Sequence, residues 1–191
     1  MKIRLVYSLF VLTAMTILFW NASGGPAEVQ EADRTMSPLS NNTSCGTCHN
    51  AGAYSPVVEL QILDGEVPVV IYEPEKTYTL RVAVTGTEAA AFGFQAVALQ
   101  GDDNLNAGTF GTPPAGIQVT PLNDRLYAEH SMPSDTSVFR IEWTAPAAGS
   151  GNVRFYAGGN AANDNNSVTG DQGAFLASPF VLAELGTSSA R

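Results

Sequence analysis

Cysteine occurs twice in the 191 residues, at Cys45 and Cys48, and histidine twice, at His49 and His130. Three of these four side chains fall together in Ser44-Cys45-Gly46-Thr47-Cys48-His49, and Cys-x-x-Cys-His is the attachment sequence of a c-type haem. The spacing has a mechanical reason. Two thiols separated by two residues can each add to one of two neighbouring vinyl groups on the haem edge, and the next imidazole is then held beneath the iron as its proximal ligand. Cys45 and Cys48 become thioethers on this reading and His49 a metal ligand, while the small Gly46 and Thr47 let the backbone pass close to the porphyrin. Other chemistries use the same residue types. A disulfide loop needs only the two thiols. A thioredoxin-type pair belongs before a helix in a strand–helix–strand unit, a pattern not visible around residue 45. A structural zinc site takes four ligands, and Cys45, Cys48, His49 and His130 would make a Cys2His2 set without a second close pair. One covalent haem c per chain is the expectation.

Haem iron has a sixth position, for which the candidates are His130, Met132 and Met36, or water. His130 ends Arg125-Leu126-Tyr127-Ala128-Glu129-His130, where Leu126, Ala128 and His130 share one apolar face of a strand. A core histidine bonded to backbone would read the same way. The need of a haem for an apolar wall makes His130 the expected distal ligand.

The elements that must position these side chains read as strands. Tyr78, Leu80, Val82 and Val84 alternate with Thr77, Thr79, Arg81 and Ala83; Phe139, Ile141 and Trp143 alternate with Val138, Arg140, Glu142 and Thr144. Further strands are expected at 57–63, 67–73, 92–100, 116–120, 125–131, 152–158 and 175–182, with long polar turns at 101–116 and 158–173. The 18 Gly and 11 Pro punctuate the chain too often for long helices. An all-β, immunoglobulin-like antiparallel β-sandwich at 55–185, preceded by a short haem-binding segment at 44–54, is the expected fold. Loop 159–171 is rich in Asn, Asp and Gly; its oxygens could meet Ca²⁺, but the spacing is not that of an EF-hand, and turns use the same residues.

Ahead of the motif, Lys2 and Arg4 precede an apolar run over 5–20 and then Ala22, Ser23, Gly24 and Gly25, the pattern of a secretory signal peptide. Sixteen helical residues reach about 24 Å, short of a hydrocarbon core of about 30 Å, so cleavage near Gly24 is expected, with membrane contact only if the leader stays on. Residues 25–43, poor in large apolar side chains, are expected to form a flexible linker, and 186–191 a C-terminal tail. The chain carries 18 acidic and 9 basic residues, a net charge of −9; loss of Lys2 and Arg4 with the leader makes it −11. That balance argues against nucleic acid and for a basic docking partner. No Gly-x-Ser-x-Gly or phosphate loop is present, so an electron carrier is expected rather than an enzyme.

The order of these pieces resembles a family of secreted bacterial proteins with reelin-like (Reeler) or choice-of-anchor type V domains, many of which carry Cys-x-x-Cys-His just before a β-sandwich. The residues that carry the likeness are Cys45 to His49, Tyr72-Glu-Pro-Glu-Lys-Thr-Tyr78, Gly93-Phe94-Gln95, Tyr127-Ala-Glu-His130, Trp143-Thr-Ala-Pro146, Val153-Arg-Phe-Tyr-Ala157, Asn160-Ala-Ala162 and Gly170-Asp171. The resemblance implies a sandwich, an extracytoplasmic location, a haem, and a ligand role for the histidine at position 130. Glu75 departs from it, standing where the family usually has Gly after Pro, and no recognisable sorting or anchoring segment follows Leu185. The expected function is one-electron transfer by an exported monohaem c-type cytochrome serving a redox partner protein, with self-assembly open. The alternative is a reelin-like extracellular adhesion or binding module in which haem is structural or absent. A haem sensor would need a vacant sixth position.

Overall fold

The computed structural model describes residues 24–186. The expected leader, apart from Gly24, and the tail beyond 186 lie outside them. Thirteen strands follow the motif: β1 Val57–Asp64, β2 Val67–Val69, β3 Ile71–Tyr72, β4 Thr77–Thr85, β5 Ala91–Gln100, β6 Leu105–Asn106, β7 Thr109–Phe110, β8 Ile117–Leu122, β9 Arg125–His130, β10 Val138–Thr144, β11 Val153–Ala162, β12 Gln172–Phe175 and β13 Phe180–Glu184. They form two packed sheets. One has the order β2-β1-β4-β10-β7; the other runs β3-β13-β11-β5-β9-β8, with β12 on β11 and β6 on β5. The all-β two-sheet sandwich is as the sequence predicts. Among the described residues no helix is long and apolar enough to cross a membrane.

The period-two pattern becomes the core directly. Tyr78, Leu80, Val82 and Val84 of β4 and Phe139, Ile141 and Trp143 of β10 are buried, facing Phe94, Ala96 and Ala98 of β5 and Val153, Phe155 and Ala157 of β11. Trp143 is fully enclosed, edge-on to Phe155 with ring centroids 4.9 Å apart, and its indole N–H donates to the carbonyl of Ala107 at 3.0 Å. That bond removes the cost of burying the one polar atom of the ring. Turn chemistry sets the registers. Asn123 and Asp124, both at positive φ, make the two-residue connection that pairs Leu122 with Arg125, as a hairpin with right-twisted strands needs.

Three expectations are corrected. The run 67–73 is not one strand: it breaks at Val70, so that β2 pairs with β1 in the first sheet and β3 with β13 in the second. That second pairing is parallel, an exception within an otherwise antiparallel fold. The run 175–182 likewise breaks between β12 and β13, a gap that holds Pro179, which has no N–H for a ladder. The turns at 101–116 and 158–173 are shorter than expected, since β6 and β7 lie in the first and β11 continues to Ala162 in the second.

A fourth correction is the largest. Residues 25–43, expected as a flexible linker, are packed along the outer surface of the second sheet. Ala27, Asp33, Thr35, Ser37 and Ser40 are buried, and Ala27 joins Val97, Leu99 and Tyr127 in a second apolar cluster. The segment is held by polar side chains in place of apolar bulk. A helical turn at Pro26–Gln30 starts at Gly25, which has no capping side chain of its own; the carboxylate of Glu129 on β9 takes that place. It accepts from the backbone N–H of Ala27 at 2.8 Å and of Glu28 at 3.0 Å. Gln95 on β5 accepts from the Arg34 N–H and donates to the Ala32 carbonyl at 3.1 Å. Further along, Asp33 accepts from Thr35 N at 2.8 Å and from the Tyr127 hydroxyl at 3.1 Å. Gly25 must be glycine, because a Cβ there would lie 2.2 Å from Cδ of Glu129. With this strap in place β5 is buried on both faces, which is why its sequence is apolar almost throughout.

Candidate cofactor cleft

The motif folds as a single 3₁₀ turn, Cys45–Thr47, and local side chains enforce it. The Ser44 hydroxyl accepts from Gly46 N at 3.2 Å while the Thr47 hydroxyl accepts from Ser44 N at 3.1 Å, a reciprocal cap. The N–H groups of Cys48 and His49 both donate to the Cys45 carbonyl, at 3.3 and 3.0 Å. In a helical turn residues spaced by three and four share a face, so Cys45, Cys48 and His49 present to the same side. The turn lies against β11 and β12 where those strands carry glycine. A Cβ on Gly173 would stand 2.3 Å from Gly46 N, and one on Gly158 would stand 2.4 Å from the Arg34 carbonyl and 3.2 Å from Cys45 Sγ.

This face opens on a cleft of about 340 Å³ that Cys45, Cys48, His49 and His130 all line. The two methionine candidates, Met36 and Met132, are not among its lining residues, and Met132 is exposed. The strap supplies one wall, including Arg34, and exposed residues 164–168 with Cys48 form the mouth. The volume is at the small end of cofactor and ligand sites.

Both imidazoles are oriented the same way. Nδ1 of His49 lies 2.9 Å from Oδ2 of Asp171. The β5–β9 ladder ends at Gln95 and Glu129, and Nδ1 of His130 then lies 2.9 Å from the carbonyl and 3.1 Å from the N–H of Phe94. With the proton on Nδ1, His130 donates to that carbonyl and Nε2 keeps its lone pair. Neither Nε2 has a hydrogen-bond partner among the described residues. Burial holds the His130 ring below the usual histidine range, against the opposing pull of the Phe94 backbone and the Glu129 charge; the neutral ring is the form that can ligate metal. Gly93 clears space beside it, since a Cβ there would be 2.9 Å from His130 Cε1 and 2.6 Å from Asn160 Oδ1.

The two thiols are unbridged. Burial pushes the Cys45 thiol up to about 12, with the nearby Arg34 charge pulling weakly the other way. A dithiol oxidoreductase needs the reverse, a depressed and accessible thiolate. Among the described residues no three His, Cys, Asp or Glu side chains converge as a metal cage. A haem asks less of the chain, because its own four nitrogens occupy the equatorial positions and only axial ligands are required.

The loop considered for Ca²⁺ spends its oxygens on itself. Asn163 Oδ1 accepts from Asn165 N, Asn165 Oδ1 from Ser167 N, and Asp171 Oδ1 from Asn163 N, at 3.1, 2.9 and 3.0 Å. Asp164 and Asn166 take left-handed backbone angles between them, which is turn chemistry. Sequence reasoning did not assign Asp171 or Arg34 to the cleft. The dipeptide Gly170-Asp171 was part of the family resemblance, and that was the available signal; nothing in the local sequence of Arg34 marks it.

No family model matches this chain, and no curated protein matches it. Solved structures do. The reelin-N domain of F-spondin superposes with a TM-score of 0.50 at 21% identity, covering 74% of this chain and 97% of that one. A human F-spondin reeler domain gives a TM-score of 0.49 at 19% identity, covering 72% and 91%. At such identities the likeness of the former shows the fold: a reeler-type two-sheet β-sandwich.

Proposed function

We propose that the chain is an exported monohaem c-type cytochrome, a one-electron carrier whose cofactor sits in the cleft between the Cys45–His49 turn, the strap and the end of β9. The observation that carries this reading is the convergence on one cleft of Cys45, Cys48 and two imidazoles with unpartnered Nε2 atoms, brought together from sequence positions 81 residues apart. Cys45 and Cys48 would hold the porphyrin as thioethers, His49 would be the proximal ligand and His130 the distal one. A haem supplies iron that cycles between ferric and ferrous states.

The chain's own residues do the rest. Phe94, through its backbone, holds Nδ1 of His130 and so turns Nε2 away from the β5–β9 ladder; with the proton on Nδ1, Nε2 keeps its lone pair. Among the described residues Arg34 is the one Lys or Arg lining the cleft; an anionic propionate is a group that its guanidinium would favour there. The open mouth at 164–168 gives electrons a short route to a partner, and the acidic surface favours a basic one. The leader pattern at the start of the sequence supports an extracytoplasmic location, where such thioethers are made.

Production of the full chain, leader included, alongside haem-attachment enzymes in an exporting host tests this. The expected result is a protein heavier by one haem, with a low-spin spectrum, whose attachment is lost in Cys45→Ala with Cys48→Ala. Conversion to a high-spin or water-ligated spectrum is expected for His130→Ala; an unchanged low-spin spectrum removes His130 as ligand, and a colourless chain of unmodified mass ends the haem reading. A second reading has its own support: the sandwich is of the reeler type, and its rim exposes Val67, Val70 and Ile71. On this reading the chain is an extracellular adhesion or binding module, and a colourless protein would favour it.

A further inference from the structure

We propose that Asp171 is a positioning residue for His49, one that sets the orientation of the proximal ligand and lowers the reduction potential of the iron it would hold. This rests on the haem reading above. Asp171 immediately precedes β12 and is 3% exposed. Each of its polar atoms is engaged, Oδ2 and the main-chain carbonyl with the motif segment and the other two within loop 159–171. Oδ2 faces Nδ1 of His49 at 2.9 Å, and Oδ1 accepts from the N–H of Asn163 at 3.0 Å. The main-chain carbonyl accepts from Ala51 N at 3.1 Å and Gly52 N at 2.7 Å, and the N–H points to the Val168 carbonyl at 3.4 Å. A Cβ on Gly52 would lie 2.7 Å from the carbonyl carbon of Asp171, so the two segments are in backbone contact and the carboxylate has little freedom to turn away.

The chemical consequence follows from charge. The proton of the His49–Asp171 pair sits on Nδ1 when Nε2 is a ligand, and it is donated to a carboxylate in place of a neutral carbonyl. A full negative charge at 2.9 Å, shielded from water, draws that proton and makes the opposite nitrogen a stronger electron donor. A stronger donor favours ferric over ferrous iron. In the redox step the iron gains one electron from the partner protein and is reduced, the partner is oxidised, and no proton leaves the pair. The two axial histidines are therefore unequal: His49 leans on a carboxylate, His130 on the carbonyl of Phe94.

The test is spectroelectrochemistry on the haem-loaded protein and its Asp171→Asn variant, which keeps an oxygen acceptor and removes the charge. With haem still attached, the ratio of reduced to oxidised protein at a fixed ambient potential should rise about tenfold, a shift of about 59 mV for one electron. A residue that only held the loop in place would leave that ratio unmoved, so an unchanged potential with intact haem overturns the proposal while leaving the haem reading standing. A wild-type chain that takes up no haem overturns both. If the Asn variant does not fold, resonance Raman of the ferrous His130→Ala protein decides. An iron–histidine stretch at the high frequency of a carboxylate-bonded imidazole supports Asp171, and one at the low frequency of a carbonyl-bonded imidazole overturns it.

Discussion

Substituting Glu129 by Gln changes one atom of a fully buried side chain and should release the strap. The carboxylate accepts five hydrogen bonds: Oε2 from Ala27 N and Gln95 Nε2, Oε1 from Glu28 N, Gln118 Nε2 and the Thr120 hydroxyl. An amide cannot serve all of them. If its NH2 replaces Oε2 it faces two donors, and Gln95 cannot flip to help because its own Oε1 is taken by Arg34 N and its Nε2 also serves Ala32. If the NH2 replaces Oε1 it faces three, of which the Thr120 hydroxyl can reverse and the Gln118 amide can flip to accept. The better arrangement therefore strands one donor, the Glu28 N–H, at about 1–3 kcal/mol. Removing a buried charge offsets part of this while the remaining bonds lose their charge assistance, leaving an expected loss of about 1–3 kcal/mol. Urea unfolding of the haem-free protein measures it, and limited proteolysis locates it: cleavage within residues 25–43 should become fast well below the unfolding midpoint. A loss under about 1 kcal/mol with the strap still protected would refute the claim that Glu129 is its anchor.

Other outcomes follow from single positions. Glu75 sits at φ +63, after Pro74 in a turn whose third position wants glycine; Glu75→Gly should stabilise the protein by about 0.5–1 kcal/mol once glycine's own entropy is counted, read as a rise of about 1–3 °C in Tm. Gly93→Ala drives a methyl group against His130 and should leave the haem attached while the low-spin fraction falls; an unaltered spectrum would show that the ring does not depend on that gap. Arg34→Gln removes the one cation that lines the cleft among the described residues, and urea midpoints should then differ less between haem-loaded and haem-free protein than they do in the wild type. Equal differences in the two would count against an anion at that wall.

The sandwich was legible because its strands are half-buried, and half-burial writes period two into β4 and β10. Cys45, Cys48 and His49 were legible as a group because their spacing is that of a known attachment motif. The strap was not, since residues 25–43 are held by Glu129, Gln95 and Asp33, and polar contacts with partners about 60–100 residues away leave no periodic trace. The same holds for Asp171, whose neighbours read as a turn and form one, while its side chain reaches back 122 residues. The break at Val70 was hidden because both halves of 67–73 are strands and only their partners differ. Glu75 was visible as a departure from the family resemblance, and its positive φ is the physical reason that glycine would suit the position.

The strap also imposes an order of events. Its anchor Glu129 lies 102 residues beyond Ala27, so the part of the chain synthesised first must wait for a strand synthesised much later. At ribosomal rates of about 5–20 residues per second that interval is about 5–20 s. Throughout it the two thiols stand in an unfinished chain, reachable from every side. Once β9 arrives and residues 25–43 lie down, Cys45 is half-buried and is approached through the cleft, so an enzyme that came late would find one narrow way in.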